Sequence, residues 1–479
     1  LAMHGPGGFV YGEDSSEWTH NLLRKADGST VTIANCYSNR DPAVIAGFQH
    51  FYDKWLAPLA QRAEFITIDE PIGQYFAGGK FGDMSTPSQA AFRRWAAVRG
   101  LAELVETGIP PRARTMAFYR FYQYRLESTA SFVRDFYARP PFQNVQAYPG
   151  NSVTPEYMNH ATLWPPAMAE AGFGATTWAY DRPAKSKMDA EICRIAEEHG
   201  GASMVFVIVH DRMDYPDTHY PVPNESLRNA TAAMSSLCSP VMGWGFSSRI
   251  YRKPGLAPWF KLIYLQARLA HALTGLKHNP PLYVWLPRSL TYNDLVELGT
   301  KEKRHWHALY TTLFNANIDY AVTNTLEVDP SHPVIYSCDR PVLTQDEFRR
   351  LRDFVLSGGS LLVTFRRQPE FPDGRPIAAW TELPKSRFHT VALDSGPLKR
   401  ALRKTDVEVN LATTDSAVKS YLYRDASQRT VHLLNNTDFE KEHSVILTAP
   451  MRDIIADRKI ASGTTVTIKA GRYTLLRAE

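Results

Sequence analysis

The chain has 479 residues, too many for one ordinary domain, and its 44% hydrophobic and 22% charged residues provide ample material for buried cores. The 54 basic and 49 acidic residues are spread along the whole length and give a net charge of +5, without the run of Lys and Arg that is typical of nucleic-acid binding. No apolar stretch approaches the ~18 residues of a membrane helix. We therefore expect neither a nucleic acid nor a membrane as a partner.

The four cysteines lie far apart and form no CxxC pair: Cys36, Cys193, Cys238 and Cys338. This spacing argues against a structural zinc site and against a disulfide scaffold, and we expect no metal and no cofactor. The compartment stays open, with the periplasm or the cell exterior favoured over the cytoplasm. Residues 1–8 lack a charged region and a cleavage pattern, which favours a strand end inside a domain over a signal peptide.

Up to about residue 325, short apolar runs alternate with longer helical patterns, which is typical of βαβ units and a parallel sheet. The pattern predicts six strands, at 1–3, 65–68, 144–148, 175–178, 204–209 and 240–246. It predicts helices between them, the clearest at 42–61, 115–138 and 187–199. A closed barrel of this type has about eight strands, so either two upstream βα units are absent from this sequence or the sheet is open.

The pattern changes after residue 330. A short strand at 333–336 precedes a capping box, in which Thr344 accepts from first-turn amides and Glu347 reaches back. The helix that follows ends at Gly358 and Gly359, and a strand is predicted at 360–364. The last seventy or so residues alternate apolar and polar positions, as at 430–434 and 465–468, which predicts a small antiparallel β domain.

Two adjacent carboxylates, Asp69 and Glu70, follow the strand at 65–68 and precede Pro71. The active site of a parallel barrel lies at the carboxyl ends of its strands. A carboxyl group held there among apolar neighbours has a raised pKa and can protonate a glycosidic oxygen. The alternative is that both residues cap the following loop and face water, and the residues alone leave the two hypotheses equal.

The order of features from Gly28 onward resembles glycoside hydrolase family 42 (GH42), the β-galactosidase family of clan A. Three segments carry the resemblance besides the acidic strand end: 35–42 (NCYSNRDP), 89–95 (QAAFRRW) and the capped helix at 344–357 with the strand after it (GGSLLVT). The resemblance covers nearly the whole chain, in order.

The resemblance implies a (β/α)8 TIM barrel at 1–325, a flavodoxin-like α/β trimerisation domain at 326–405 and a C-terminal β-sandwich domain at 406–479. It implies a homotrimer that cleaves a β-linked glycoside or oligosaccharide, with Glu70 as general acid/base. The family has Asn where this chain has Asp69, a position that contacts a sugar hydroxyl. Many members carry zinc-binding cysteines where this chain has 79–85 (GKFGDMS), so no zinc is expected there.

The second catalytic carboxylate is the main departure from the family. The family places a nucleophilic Glu at the end of the seventh strand, where this chain has His210 followed by Asp211. Asp is one methylene shorter than Glu, so the ~5 Å spacing of a retaining pair is harder to assemble. Three hypotheses stay open: Asp211 is the nucleophile or base, a wider pair holds a water and inverts, or the second carboxylate is lost. Asp214 and Asp217, on the loop that follows, are further candidates.

Other strand-end residues are candidate substrate contacts. The family's sugar-site Trp on the last strand matches Trp244, and the remaining candidates rest on position alone: Asn35, Trp178, Tyr180, Asp181, His210 and Arg249. For Trp178 and Trp244 packing in the core is an equal alternative, and His210 is either a strand-end residue satisfied in place or a partner of Asp211.

The sequence thus predicts a glycosidase that degrades a β-linked carbohydrate. Two rivals remain: a carbohydrate-binding barrel or pseudo-enzyme that has lost the nucleophile, and a polysaccharide lyase that uses His210 and a Tyr.

Overall fold

The computed structural model describes most of the chain, and the statements below concern these residues. They are 2–4, 22–24, 30–32, 46, 49, 53, 57–60, 62–69, 86–137, 140, 142–150, 164–179, 182–210, 223–245, 256–297, 301–405, 417–438 and 440–479.

The first sheet has six parallel strands that lie side by side in chain order. The strands are β1 (Ala2–His4), β4 (Phe65–Asp69), β5 (Gln146–Gly150), β6 (Ala175–Trp178), β7 (Ser203–His210) and β8 (Ser239–Gly245). Each of the six overlaps a strand that the sequence pattern predicts. In the described residues β1 and β8 are the two edges of this sheet, so it forms a run of six strands and not a closed ring of eight. A hairpin that the sequence did not predict, β2 (Leu22–Arg24) with β3 (Thr30–Thr32), follows β1.

Helices alternate with these strands. In chain order they are α1 (Ala57–Ala60), α2 (Thr86–Val98), α3 (Ala102–Thr107), α4 (Met116–Tyr137), α5 (Pro165–Glu170), α6 (Pro183–Glu198), α7 (Pro223–Met234) and α8 (Leu256–Leu273). The helix predicted at 42–61 lies largely outside the described residues. The helices predicted at 115–138 and 187–199 are α4 and α6, and α6 begins four residues earlier than predicted because Pro183 is accommodated at its first position.

Aromatic packing explains why the QAAFRRW segment forms the middle of α2. Phe92 is fully buried and packs against Phe121 and Tyr124 of α4, with ring centroids 5.4 and 5.3 Å apart. Trp95, one turn further, contacts Tyr124 at 5.7 Å. Phe92 and Trp95 therefore lie on the face of α2 that packs against α4.

The second sheet has five parallel strands in the order β11-β10-β12-β13-β14. They are β10 (Tyr283–Trp285), β11 (Ala321–Thr323), β12 (Val334–Tyr336), β13 (Leu361–Val363) and β14 (Phe388–Thr390). In chain order this is 2-1-3-4-5, the order of flavodoxin-like sheets. The helices around it are α9 (Tyr292–Glu297), α10 (Lys301–Asn315), α11 (Gln345–Leu356) and α12 (Ser395–Arg403).

The membership of β10 and β11 differs from the sequence prediction, which assigned everything up to residue 325 to the barrel. Both strands pair within the second sheet, β10 with β11 and with β12. Their short apolar runs resemble barrel strands because both sheets are parallel and buried on two faces. We therefore propose that the boundary between the first two domains lies before residue 283.

The capping box predicted at the start of α11 is confirmed. Thr344 Oγ1 accepts from the backbone N–H of Glu347 at 3.2 Å, and Glu347 Oε2 accepts from the backbone N–H of Thr344 at 2.7 Å. The other carboxylate oxygen of Glu347 accepts from the backbone N–H of Ser289 at 3.0 Å. One side chain therefore starts the helix and also fixes the segment that follows β10.

The third sheet is antiparallel and has six strands in the order β19-β18-β21-β16-β15-β9. They are β9 (Lys277–His278), β15 (Val418–Arg424), β16 (Thr430–Asn436), β18 (Met451–Asp453), β19 (Arg458–Ile460) and β21 (Tyr473–Ala478). A separate pair, β17 (His443–Ile446) with β20 (Thr465–Ile468), completes the region. The predicted antiparallel end of the chain is thus observed, with the addition of β9 from far upstream.

The two faces of the third sheet have different neighbours, as the two-residue period of a strand requires. Leu434 and Leu476 pack with Val445 and Val466 of the β17–β20 pair. Leu433 and Leu475 point the other way and belong to a core cluster with helix residues that include Ala190 of α6. The third sheet therefore lies against the helices of the first region. Among the described helices, none has the length and apolar composition needed to cross a bilayer.

Candidate active site

The carboxyl ends of the six parallel strands meet at one edge of the first sheet. The last residues of five of them, in order across the sheet, are Asp69, Gly150, Trp178, His210 and Gly245. In a parallel α/β sheet this is the edge where ligands bind and where catalytic side chains are carried. Three of these positions, Asp69, Trp178 and His210, are candidate site residues from the sequence.

The strand register aligns some of these ends. Asp69 is level with Gly150 of the next strand, and His210 is level with Gly245. Trp244 is level with Val209, one residue before His210. Trp178 pairs with Phe206, so β6 ends while β7 continues for four more residues to His210. The end of β7 therefore projects beyond that of β6 at this edge.

Buried apolar side chains in the lower part of the sheet support this edge. Ile66, Ala147, Ala175 and Val205, one from each of β4 to β7, are at most 2% exposed. In the predicted run at 204–209 the neighbouring residues Met204 and Val205 are both buried, as expected for a parallel sheet that is covered on both faces. The buried base of the sheet therefore positions the strand ends side by side.

Most of the sequence-predicted site lies outside the described residues. The backbone is described for Asp69, Trp178, His210 and Trp244, and their side chains are not. Wholly outside are Glu70, Asp211, Asn35, Tyr180, Asp181 and Arg249, as are Asp214, Asp217 and the 79–85 segment. What the structure does place is the attachment point of the two catalytic candidates. Glu70 follows the last residue of β4, and Asp211 follows the last residue of β7.

The position of these two strands limits how the two carboxyl groups can meet. Two strands, β5 and β6, lie between β4 and β7. Neighbouring strands are about 4.8 Å apart, so in a flat sheet the ends of β4 and β7 would be roughly 14 Å apart. A retaining pair needs carboxyl groups about 5–5.5 Å apart and an inverting pair about 6.5–9.5 Å. A retaining pair therefore needs a sheet that is curved as in a barrel, so that the two ends face each other across its mouth.

Helix α6 joins two of the strands at this edge and is buried along nearly its whole length. It follows the loop after β6 and leads into β7. Its buried residues include four charged ones, Lys185, Lys187, Asp189 and Glu191. The sequence pattern predicts a helix at 187–199 but not the burial of these charges, because Lys and Glu at spacings of four are also typical of a solvated helix face.

No metal-binding group emerges from the described residues, in which no three His, Cys, Asp or Glu side chains are placed to hold an ion. The side chains of Cys193, Cys238 and Cys338 are buried. Burial raises the pKa of Cys238 to about 12, so this thiol stays protonated. Burial also raises the pKa of Cys193, so neither Cys193 nor Cys238 is suited to act as a nucleophile.

No protein-family model matches the chain, and no curated protein matches it. Solved structures do match. A β-galactosidase from Bacillus circulans sp. alkalophilus has a TM-score of 0.72 at 12% identity, over 97% of this chain and 87% of that one. A GH42 β-galactosidase from G. stearothermophilus has a TM-score of 0.70 at 10% identity, over 97% and 86%. A GH42 exo-carrageenase from Bacteroides ovatus has a TM-score of 0.62 at 11% identity, over 94% and 71%.

The chain therefore has the (β/α)8-type fold of the GH42 β-galactosidases, as a distant structural relative. The resemblance predicted from the sequence is confirmed at the level of the fold. At 10–12% identity the likeness shows the fold alone, because one fold can host many activities.

Proposed function

We propose that the protein is a glycoside hydrolase that cleaves a β-linked sugar, as a β-galactosidase does, with Glu70 as the general acid/base. One observation carries the proposal. On a fold shared with GH42 β-galactosidases, two of the parallel strands, β4 and β7, are followed directly by a carboxylic acid, Glu70 and Asp211.

In the proposed reaction Glu70 donates a proton to the glycosidic oxygen as the bond to the sugar breaks. The leaving group departs as an alcohol, and positive charge develops on the sugar ring. Glu70 must hold its proton at neutral pH, which requires apolar or negatively charged surroundings. Asp69, its neighbour in the chain, supplies negative charge and can accept from a sugar hydroxyl.

Asp211 is the proposed second carboxylate. If it comes within about 5–5.5 Å of Glu70, it attacks the sugar carbon and the configuration is retained. If it lies about 6.5–9.5 Å away, it activates a water and the configuration is inverted. The anomer of the first product, followed by NMR, decides between the two.

The remaining strand-end residues are proposed substrate contacts. Trp244 provides an aromatic face for the sugar, and His210 bonds a hydroxyl or orients Asp211. The other proposed contacts are Asn35, Trp178, Tyr180, Asp181 and Arg249. We propose further that the second domain mediates a homotrimer, as the family resemblance implies.

The test is turnover of a panel of aryl β-glycosides by the natural chain and by Glu70→Gln. Without this acid, kcat/KM for substrates with poor leaving groups should fall by about 100-fold or more. Substrates whose leaving group departs unprotonated, such as dinitrophenyl glycosides, should be slowed much less. An equal fall in kcat/KM for both classes of substrate would contradict the acid role of Glu70.

Asp211→Asn and Asp214→Asn form a matched pair for the second carboxylate. Asp211→Asn should abolish turnover of all substrates, because no leaving group replaces a nucleophile or base. Asp214→Asn should leave turnover near that of the natural chain. The reverse result would move the second carboxylate to the loop.

Two outcomes would support the rival functions. Sugar binding without turnover of any substrate by the natural chain would favour a binding protein that has lost the nucleophile. A rise in absorbance of an unsaturated product from a uronic-acid polymer would favour a lyase.

A further inference from the structure

A buried network of four ionisable side chains connects α6 to the second and third sheets. Lys187 Nζ lies 2.6 Å from Glu191 Oε1 and 3.4 Å from Asp319 Oδ1. His278 Nε2 lies 3.0 Å from Asp319 Oδ2, and His278 Nδ1 lies 3.6 Å from Glu191 Oε1. All four side chains are at most 3% exposed. We call Lys187, Glu191, His278 and Asp319 the brace network.

The members of the brace network come from three parts of the fold. Lys187 and Glu191 belong to α6, which joins strands of the first sheet. His278 lies in β9, at the edge of the third sheet, and Asp319 lies two residues before β11 of the second sheet. Asp319 Oδ2 also accepts from the backbone N–H of Leu422 in β15 at 2.8 Å. One carboxylate therefore contacts all three regions.

Helix α6 also covers the open edge of the second sheet. β11 is the edge strand of that sheet, so alternate N–H groups on its outer side have no strand partner. Glu191 Oε2 accepts from the backbone N–H of Val322 at 3.3 Å, and Glu198 Oε2 accepts from that of Asn324 at 3.4 Å. Because Glu191 and Glu198 are two helical turns apart, the two contacts fix the position of α6 along the strand.

The charges in the network depend on one another. Among the described residues in contact, one lysine faces two carboxylates, and both ring nitrogens of His278 face carboxylate oxygens. Burial raises the pKa of Glu191 and Asp319, but the neighbouring Lys187 and His278 outweigh burial, so both values lie below the ordinary range. Removal of Lys187 would leave two buried carboxylates with His278 as the one remaining member of the network between them.

We propose that the brace network holds α6 in register with the second and third sheets and thereby positions the ends of β6 and β7. Lys187, Glu191, His278 and Asp319 are then positioning residues for the reaction proposed above, and the kinetic part of this inference rests on that reaction. Because β7 leads directly into Asp211, a small displacement of α6 changes the position of that carboxylate. A misplacement of about 1 Å can reduce the rate by ~100-fold.

The test compares Lys187→Met with Val466→Ala in the full-length chain. Val466 lies in the core between the third sheet and the β17–β20 pair, away from α6. Its truncation destabilises the fold without affecting the brace network, so it controls for loss of stability. Two quantities are measured on folded protein: hydrogen exchange of the 175–210 amides, and kcat and KM on the best substrate.

Lys187→Met should increase exchange across 175–210 by about 10-fold or more relative to Val466→Ala, because α6 loses its register. It should lower kcat by about 10-fold with KM within about 2-fold, since the substrate contacts remain while the carboxylate moves. Equal hydrogen exchange of the 175–210 amides in the two variants would contradict the proposal that the brace network holds α6 in register. Increased exchange in Lys187→Met with an unchanged kcat would contradict the proposal that the brace network positions Asp211 for the reaction. If the natural chain turns over no substrate, the proposed function fails, and the exchange result alone still decides whether α6 is braced.

Discussion

Two helices of the first region contact the second domain through ion networks, and the two networks differ in burial. On α4, Glu127 pairs with Arg99 and with Arg288 of the second domain, and the three side chains are 24–42% exposed. On α6, the brace network is at most 3% exposed. Water screens the first network and not the second. Ion pairs contribute little to stability where water reaches them, whereas removing one partner of a buried pair is strongly destabilising.

Burial, and not the number of ion pairs, therefore decides how strongly each network affects stability when one charge is removed. Arg288 also donates to the backbone carbonyl of Gln123 at 3.1 Å, and Tyr122 donates to the carbonyl of Arg288 at 2.9 Å. The α4 contact therefore keeps these two hydrogen bonds when the charge of Glu127 is removed. The α6 contact depends on Lys187, whose removal leaves Glu191 and Asp319 buried together.

The largest expected effect is that of Lys187→Met. We expect the free energy of unfolding to fall by about 3–5 kcal/mol, the cost of breaking a buried charge network by removing one partner. Chemical denaturation at neutral pH measures it. The double variant Lys187→Met with Glu191→Gln should recover part of the loss, because it removes one of the two unbalanced carboxylates. A double variant less stable than Lys187→Met would contradict the charge argument.

Asp319→Asn should have a smaller effect, with a characteristic pH dependence. The amide keeps one acceptor oxygen for the backbone N–H groups of Tyr320 and Leu422, which bond to different carboxylate oxygens at 2.9 and 2.8 Å. We expect a loss of about 1.5–3 kcal/mol at neutral pH, typical of hydrogen bonds to a charged group.

The pH dependence follows from the lowered pKa of Asp319. Burial opposes this shift, but Lys187 and His278 place the folded value below the ordinary 3.8. A carboxyl group of this kind contributes stability above its ordinary pKa and loses it as the pH falls through the folded value. The difference in stability between the natural chain and Asp319→Asn should therefore narrow as the pH falls from ~5 to ~2. A difference that is constant or grows towards acid would exclude a charged Asp319.

The sequence predicts the local elements well and the contacts between domains poorly. The run at 204–209 and the Thr344 capping box depend on neighbours in the chain, and both are observed. The segment 185–191 (KSKMDAE) has the charges of a solvated helix face, and nothing local shows that two later sheets cover it. The predicted domain boundary at 325 places β10 and β11 in the barrel region, whereas both pair within the second sheet, and a buried parallel strand has the same pattern in either sheet.

The candidate site is predictable to a similar extent. Strand order and the positions of Asp69 and His210 at strand ends follow from the alternating pattern and are observed. The approach of Glu70 and Asp211 depends on the curvature of the sheet, and so on side-chain volumes in many strands at once. No pattern in a short segment encodes that curvature, and the pairing of these two carboxylates remains a prediction.

The smallest expected effect is that of Glu127→Gln on α4, the isosteric counterpart of Glu191→Gln on α6. The amide removes the charge facing Arg99 and Arg288 and keeps an acceptor oxygen. Because water reaches all three side chains, we expect a loss of about 0.2–1 kcal/mol in the free energy of unfolding. Added salt should reduce this loss further, whereas it should hardly change the loss caused by Lys187→Met, since buried charges are screened little. The opposite result would be a loss in the free energy of unfolding for Glu127→Gln that is as large as that for Lys187→Met and insensitive to salt. Solvent exposure would then not separate the two networks, and α4 would share the bracing role with α6.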